Sequence, residues 1–335
     1  MKQTWVWVGI VLLVGGISWM VIGPKQKPQQ PKKKTPVTEN APQNKPGTLK
    51  LIQGLEGAKV VYVPTGQFWM GSPKHEAGRG SLEKRHRVSL RHGFWMWQTE
   101  VTQRQFQKLL SINPSRFQQC GSSCPVDSAS FYQAMKFANA VSRLAKKPTC
   151  YTCQGNKFKL RCSLKPQYQK ENGQAYTHCP GWRLPTEAEW ERAARAGSSK
   201  ARYGILDSTT WWGAGTGKGN SQVRYPGCLK RSQQCWGTHP VAGKKPNAWN
   251  LYDMLGNTSE WVWDRYGPYS YDKLRTNPIQ TASHIDAILH SKVKRVVRGG
   301  CWYSDKSRTR AANRSKRPPA TQSPSIGFRI VRTAL

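Results

Sequence analysis

Eight of the nine cysteines lie close together in turn-rich segments: Cys120 with Cys124, Cys150 and Cys153 with Cys162 and Cys179, and Cys228 with Cys235. That spacing constrains the chain more than any other feature. Short covalent loops suit a domain held by staples and buried rings rather than by long helices, and they form in an oxidising compartment. The competing reading of the middle group is a zinc site on Cys150-x-x-Cys153 with Cys162 and Cys179, although its second half lacks a matching C-x-x-C spacing. Cys301 is left without a near neighbour.

The aromatic content agrees with a stapled domain. With 15 Trp, 12 Tyr and 8 Phe in 335 residues, the core must be built largely from rings, which bury large areas each. Residues Trp5 to Ile22 carry no charge over 18 positions, just enough to cross a hydrocarbon core. Residues 1–23 therefore read as a membrane anchor; a cleaved signal peptide is the alternative, but no A-x-A-like site follows Ile22. Residues 24–50, rich in Pro, Lys and Gln, read as a polar tether, leaving 51–335 as one domain. The lysines after Ile22 outnumber Lys2, which favours a cytoplasmic body. The cysteine pattern favours the opposite, and we expect a periplasmic or otherwise extracytoplasmic domain anchored in the inner membrane.

The net charge is +36; residues 1–50 hold eight Lys and one Glu, so the remainder still carries +29. Such a field attracts anionic partners, for which a cell-envelope polymer or a protein is expected. Nucleic acid is not, since no helix-turn-helix, zinc-finger or RRM-type pattern occurs. Short strands are predicted at Val60 to Val63 and Gln67 to Met70 around the turn Pro64-Thr65-Gly66, and a second strand pair at Arg87 to Leu90 and Phe94 to Trp97. Thr102-x-x-Gln105 and Thr186-x-x-Glu189 have the capping-box form and predict helix starts. Phe131, Ala134, Met135, Ala138 and Val141 predict another helix, and Lys294 to Arg298 and Gly327 to Val331 predict closing strands. The expected class is α+β, a single domain with high irregular content.

Several segments in order resemble the sulfatase-modifying-factor, or formylglycine-generating-enzyme-like, domain family, whose fold is a variant of the C-type lectin fold. They include Gly66 to Ser72, Glu100-Val101-Thr102, Cys124-Pro125-Val126, Arg183 to Glu191, Asn250 to Asn257, Glu260-Trp261-Val262, Arg298-Gly299-Gly300 and Ile326 to Arg329. In the oxidase members, two cysteines after the Gly-Gly pair bind copper and convert a sulfatase cysteine to formylglycine. Counting from the glycines here places Ser304 and Thr309 at those positions; aligning from Arg310 and Arg314 brings in Cys301 but pairs it with Lys306. A soft copper ion needs two thiolates, so neither register supplies the site and copper is not expected. An iron-dependent sulfoxide synthase, another branch, needs an H-x-x-x-H-x-E motif that His86, His92 and His239 do not provide.

The resemblance also implies calcium, at Asp253, Gly256, Thr258 and Glu260, where two carboxylates flank a turn whose carbonyls complete a hard-oxygen cage. A third related group, the variable proteins of diversity-generating retroelements, carries its ligand surface between R-G-G-x-W and I-G-F-R. The corresponding candidates are Trp302, Tyr303, Ser304, Asp305, Ser307, Arg308, Arg310 and Arg314. A non-catalytic binding or structural module is the expectation, with formylglycine oxidase and diversified ligand binder as alternatives.

Overall fold

Three helices begin at reciprocal hydrogen bonds written into the sequence. α1 (Gln103–Leu110) starts after Thr102, α2 (Phe131–Leu144) after Ser130, and α3 (Glu187–Arg195) after Thr186. In each, the hydroxyl accepts from the third helical amide, while Gln105, Gln133 or Glu189 reaches back to the cap's own N–H. Two amides that a helix start leaves open are thereby satisfied. A one-turn helix, α4 (Leu206–Thr209), follows. The computed structural model describes residues 44–335 except 157–158, 215–218, 221–235, 270–272, 280–292 and 335, with 171–174 described by backbone only. The expected anchor, most of the tether, Cys228 and Cys235 lie outside the described residues. Among those described, no helix is long and apolar enough to cross a membrane.

Among the described residues the strands form four small sheets. The first orders β1 (Leu49–Leu51), β2 (Lys59–Val63), β5 (Phe94–Trp97) and β13 (Val331–Thr333), all antiparallel. The second orders β11 (Arg314–Arg317), β10 (Arg295–Arg298), β8 (Ser259–Arg265) and β12 (Ile326–Gly327), with only the last pairing parallel. The third joins β3 (Gly66–Met70), β4 (His86–Leu90) and β9 (Arg275–Thr276), and the fourth is the hairpin of β6 (Tyr151–Gln154) and β7 (Arg161–Leu164). The result is a mixed α and β fold with long irregular connections.

Two expectations about these strands need correction. β2 and β3 do not pair across their turn, nor do β4 and β5: β2 pairs with β5, and β3 with β4. The turn at Pro64–Gly66 instead wraps the Arg192 guanidinium of α3, which donates to the carbonyls of Pro64, Thr65 and Gln67. Gly66 has φ 128°, and a Cβ there would stand 2.9 Å from Arg192 Nη2. β8 was not anticipated at all. It occupies the middle of its sheet and its five inner residues are all buried, so it lacks the in–out alternation that marks a half-exposed strand.

Two buried clusters make the core. In one, Phe106 and Phe137 stack 5.7 Å apart and meet Trp97 and Phe328, while Phe131 bridges Trp261 and Trp263. In the other, Trp190 of α3 lies among Val61, Met70, Val88, Met96 and Val296. Disulfides join Cys120–Cys124, Cys150–Cys179 and Cys153–Cys162, the last linking facing residues of β6 and β7. All four sulfurs of the zinc alternative are thus bonded to one another in pairs, which removes it.

The basic excess is partly internal. Arg183, Arg298, Arg310 and Arg329 are among the largest fully buried side chains. Each meets a carboxylate: Arg183 with Glu189, Arg298 with Glu191, Arg310 with Glu76 and Glu83, Arg329 with Glu260. Buried charges persist only when paired and hydrogen-bonded in this way.

Candidate functional site

The segment between β10 and β11 starts at a double-glycine turn. Gly299 and Gly300 have φ of 95° and 71°, and a Cβ on Gly300 would lie 2.8 Å from the Arg308 carbonyl. Only glycine combines that left-handed backbone with that approach. Cys301 follows and is buried; its N–H donates to Ser304 Oγ at 3.0 Å, and its Sγ lies 3.4 Å from the same oxygen. Burial pushes the Cys301 thiol above its ordinary pKa, with hydrogen bonds from Ser304 and Tyr303 opposing. It is therefore a neutral S–H at neutral pH rather than a thiolate.

Asp305 folds the next turn, its Oδ1 accepting from Ser307 N, Ser307 Oγ and Arg308 N. Thr309 is fully buried and its hydroxyl donates to the Asp305 carbonyl at 2.7 Å. The two positions that would carry copper ligands are thus hydroxyls engaged in local hydrogen bonds. In the other register Lys306 is exposed. Among the described residues Cys301 is the one free thiol, and a single thiol does not make a two-thiolate copper site.

The sequence candidates separate into two groups. Arg310 and Arg314 are both buried and paired with carboxylates of the fold. Arg310 is held by Glu76 and Glu83. Arg314 is held by Glu187 at 2.7 and 2.8 Å and lies over the Tyr269 ring. Trp302 is half-buried, edge-on to Phe117 and Tyr303, with its indole N–H donating to the Pro324 carbonyl. Tyr303 and Arg308 are exposed, while Ser304 is buried.

A small cleft of about 40 Å³ opens beside this segment. Its walls are Ser259, Val297, Gly300, Cys301, Tyr303, Ser304, Arg308, Asn313, Ser315, Arg317, Ser325 and Ile326. Sequence reading did not single out Ser315, took Arg317 only as the end of a basic run, Arg308 to Arg317, able to grip an anion, and missed Ser325. The strand period offered a signal for the first two: in β11, Ser315 and Arg317 share the face opposite buried Arg314.

The expected calcium turn is tightly built. Asp253, Gly256 and Asn257 all have left-handed backbones, and Asp253 Oδ2 accepts from Ala242 N at 2.7 Å. Among the described residues, nothing hydrogen-bonds to the buried Asp253 Oδ1. Glu260 has both oxygens on Arg329, at 2.7 and 2.8 Å, and Oε2 also accepts from Trp190 Nε1. Thr258 donates through N and Oγ1 to Glu100 Oε1. Asp253 Oδ1 is what the turn's side chains leave open to a cation, while the Glu260 oxygens are shared with Arg329 and Trp190. Among the described residues no three His, Cys, Asp or Glu side chains converge as a metal cluster. Burial, with Asp253 and Glu260 nearby, raises Glu100 well above the ordinary carboxylate range.

The model of the sulfatase-modifying factor enzyme 1-like domain matches residues 49–334. The chain is 26% identical over 253 residues to the chaperone protein LppX of Paenibacillus barcinonensis, covering 72% of this chain and 80% of that one. It is also 26% identical over 307 residues to the formylglycine-generating enzyme of Mus musculus, covering 85% and 78%. Among solved structures, Treponema denticola variable protein 1 superposes with a TM-score of 0.64 at 24% identity, over 85% of this chain and 98% of that one.

Proposed function

Given that the chain belongs to the sulfatase-modifying factor enzyme 1-like domain family, we propose that it uses this fold as a non-oxidase binding module whose ligand face is the 301–325 segment. One observation carries the reading: Ser304 and Thr309 stand where the oxidases need thiolates, and Cys301 is the one free thiol among the described residues. Hydroxyls do not hold a soft copper ion. The test is to incubate the protein with a Cys-x-Pro-x-Arg peptide, copper and oxygen and to follow the peptide by mass spectrometry. We expect the cysteine to stay unmodified; formylglycine would overturn the proposal.

The domain is proposed to sit outside the cytoplasm on the anchor of residues 1–23, which the three disulfides support. Protease added to intact spheroplasts should then digest it; resistance until lysis would place it inside. Calcium belongs to the proposal as a stabilising ion drawing on Asp253 Oδ1. A calcium-dependent rise in melting temperature, lost in Asp253→Asn, supports this, and no rise removes it.

A diversified ligand binder is the second reading, favoured by the variable protein's fold likeness and by a loop fastened at both ends. A near-identical template copy beside the gene would support it. Its absence would count against it.

A further inference from the structure

We propose that the cleft beside Cys301 is a subsite for a single oxyanion group, a carboxylate or a sulfate or phosphate ester, held by Arg308 and Arg317. This rests on the reading of the 301–325 segment as the ligand face. The first argument is the contrast among arginines. Arg183, Arg298, Arg310, Arg314 and Arg329 each meet a buried carboxylate. Arg308 and Arg317 line the cleft and form no ion pair among the described residues. A guanidinium is a fixed fork of donors suited to planar oxyanions, and two on one rim with no carboxylate between them leave the site to an incoming anion.

The second argument is the rest of the lining. No Asp or Glu contributes to it among the described residues. Asp305, the nearby acid, does not line the cleft; its Oδ1 accepts from Ser307 and the Arg308 amide, and the Ser307 hydroxyl together with the Arg308 charge holds its carboxyl below the usual range without forming an ion pair among the described residues. Buried Ser304 and Ser325 and the half-buried Ser315 supply hydroxyls that can turn a proton toward the anion. Arg317 Nη1 donates to the Lys316 carbonyl at 2.8 Å and to Ser315 Oγ at 3.3 Å, which leaves its other guanidinium nitrogens for an incoming group. The Cys301 thiol, kept neutral, brings no negative charge to the floor.

The third argument is size. At about 40 Å³ the cleft admits one small group, not a polymer backbone or a folded segment. An anionic polymer or peptide would insert one charged terminus or substituent here, with the exposed Tyr303 ring at the mouth.

The test uses the full-length chain labelled with ¹⁵N at tryptophan and reads the indole signal of Trp302, which adjoins Tyr303. Acetate, sulfate and inorganic phosphate are titrated separately, with chloride holding ionic strength constant. We expect a saturable shift with at least one of them, at millimolar or lower concentration. In Arg308→Gln/Arg317→Gln the affinity should fall about tenfold or more, the scale of losing charge-assisted hydrogen bonds, at an unchanged melting temperature. Saturation by acetate first assigns a carboxylate-bearing ligand; saturation by sulfate or phosphate first assigns an ester. A shift that stays linear, or a double variant that binds within twofold of the parent, overturns the proposal. Neither of those results touches the oxidase question, which the peptide assay answers alone.

Discussion

Glu191 is the position where one atom change should cost most. Its Oε1 accepts from Gly71 N at 2.8 Å and Arg195 Nε at 2.9 Å, and its Oε2 faces Arg298, whose side chain is fully buried. Burial alone would raise its pKa, but Arg195 and Arg298 hold it below the ordinary value, so it is ionised in the folded state. Glu191→Gln keeps the shape, removes the charge and turns an amide donor toward a guanidinium. Glu187 remains 3.5 Å from Arg298 but is already bound by Arg314. Leaving a buried charge uncompensated costs about 3–5 kcal/mol, a large share of the ~5–15 kcal/mol that holds most domains together. At about 2–4 °C per kcal/mol for domains of ~150–250 residues, the melting temperature should drop by about 6–20 °C. Calorimetry on the oxidised protein reads this directly, with Arg308→Gln as an exposed control expected within about 0.5 kcal/mol of the parent. A Glu191→Gln melt within a degree or two of wild type would refute the claim that these ion pairs are internal supports.

Asp127 predicts a pH dependence. It is buried and accepts from Arg116 N, Phe117 N and Ser128 Oγ, yet burial raises its pKa to about 6. A raised carboxylate stabilises the fold fully below its unfolded value near ~4, and that contribution is lost as pH rises through 6. In urea melts from pH 4 to 8, the stability difference between wild type and Asp127→Asn should shrink by up to about 3 kcal/mol with rising pH; parallel profiles would exclude it. Non-reducing peptide mapping should recover the pairs 120–124, 150–179 and 153–162, with Cys301 alkylated only after unfolding. Cys150→Ser/Cys179→Ser opens a loop with a sequence separation of 29 and should cost about 3–4 kcal/mol by chain entropy, more than opening the four-residue separation of Cys120 and Cys124. Urea midpoints in the opposite order would count against that account.

The helix starts were legible because a capping box is a local exchange between residues three apart. Thr102 and Thr186 gave it, and Ser130-x-x-Gln133 carried the same unread sign. Strand partners were not legible, since Val63 and Gly66 stand three apart in sequence but the turn between them wraps a side chain from α3, well over a hundred residues away. β8 hid for another reason: burial on both faces erases period two. At the candidate site, the turn glycines and the missing thiol pair could be read directly. The fate of each arginine could not. Arg308, Arg310 and Arg314 look alike in a basic run, and only the arrival of Glu76, Glu83 and Glu187 from distant segments separates the two internal supports from the one left at the surface.

Arg298 and Arg314 lie directly opposite each other at the matching ends of β10 and β11, and both are fastened to carboxylates of α3. The intervening segment is therefore clamped at its feet, much as a banner is held by two poles. Its crown exposes Tyr303, Lys306 and Arg308, which can be exchanged for other side chains while the poles stay upright, at little cost to the frame beneath.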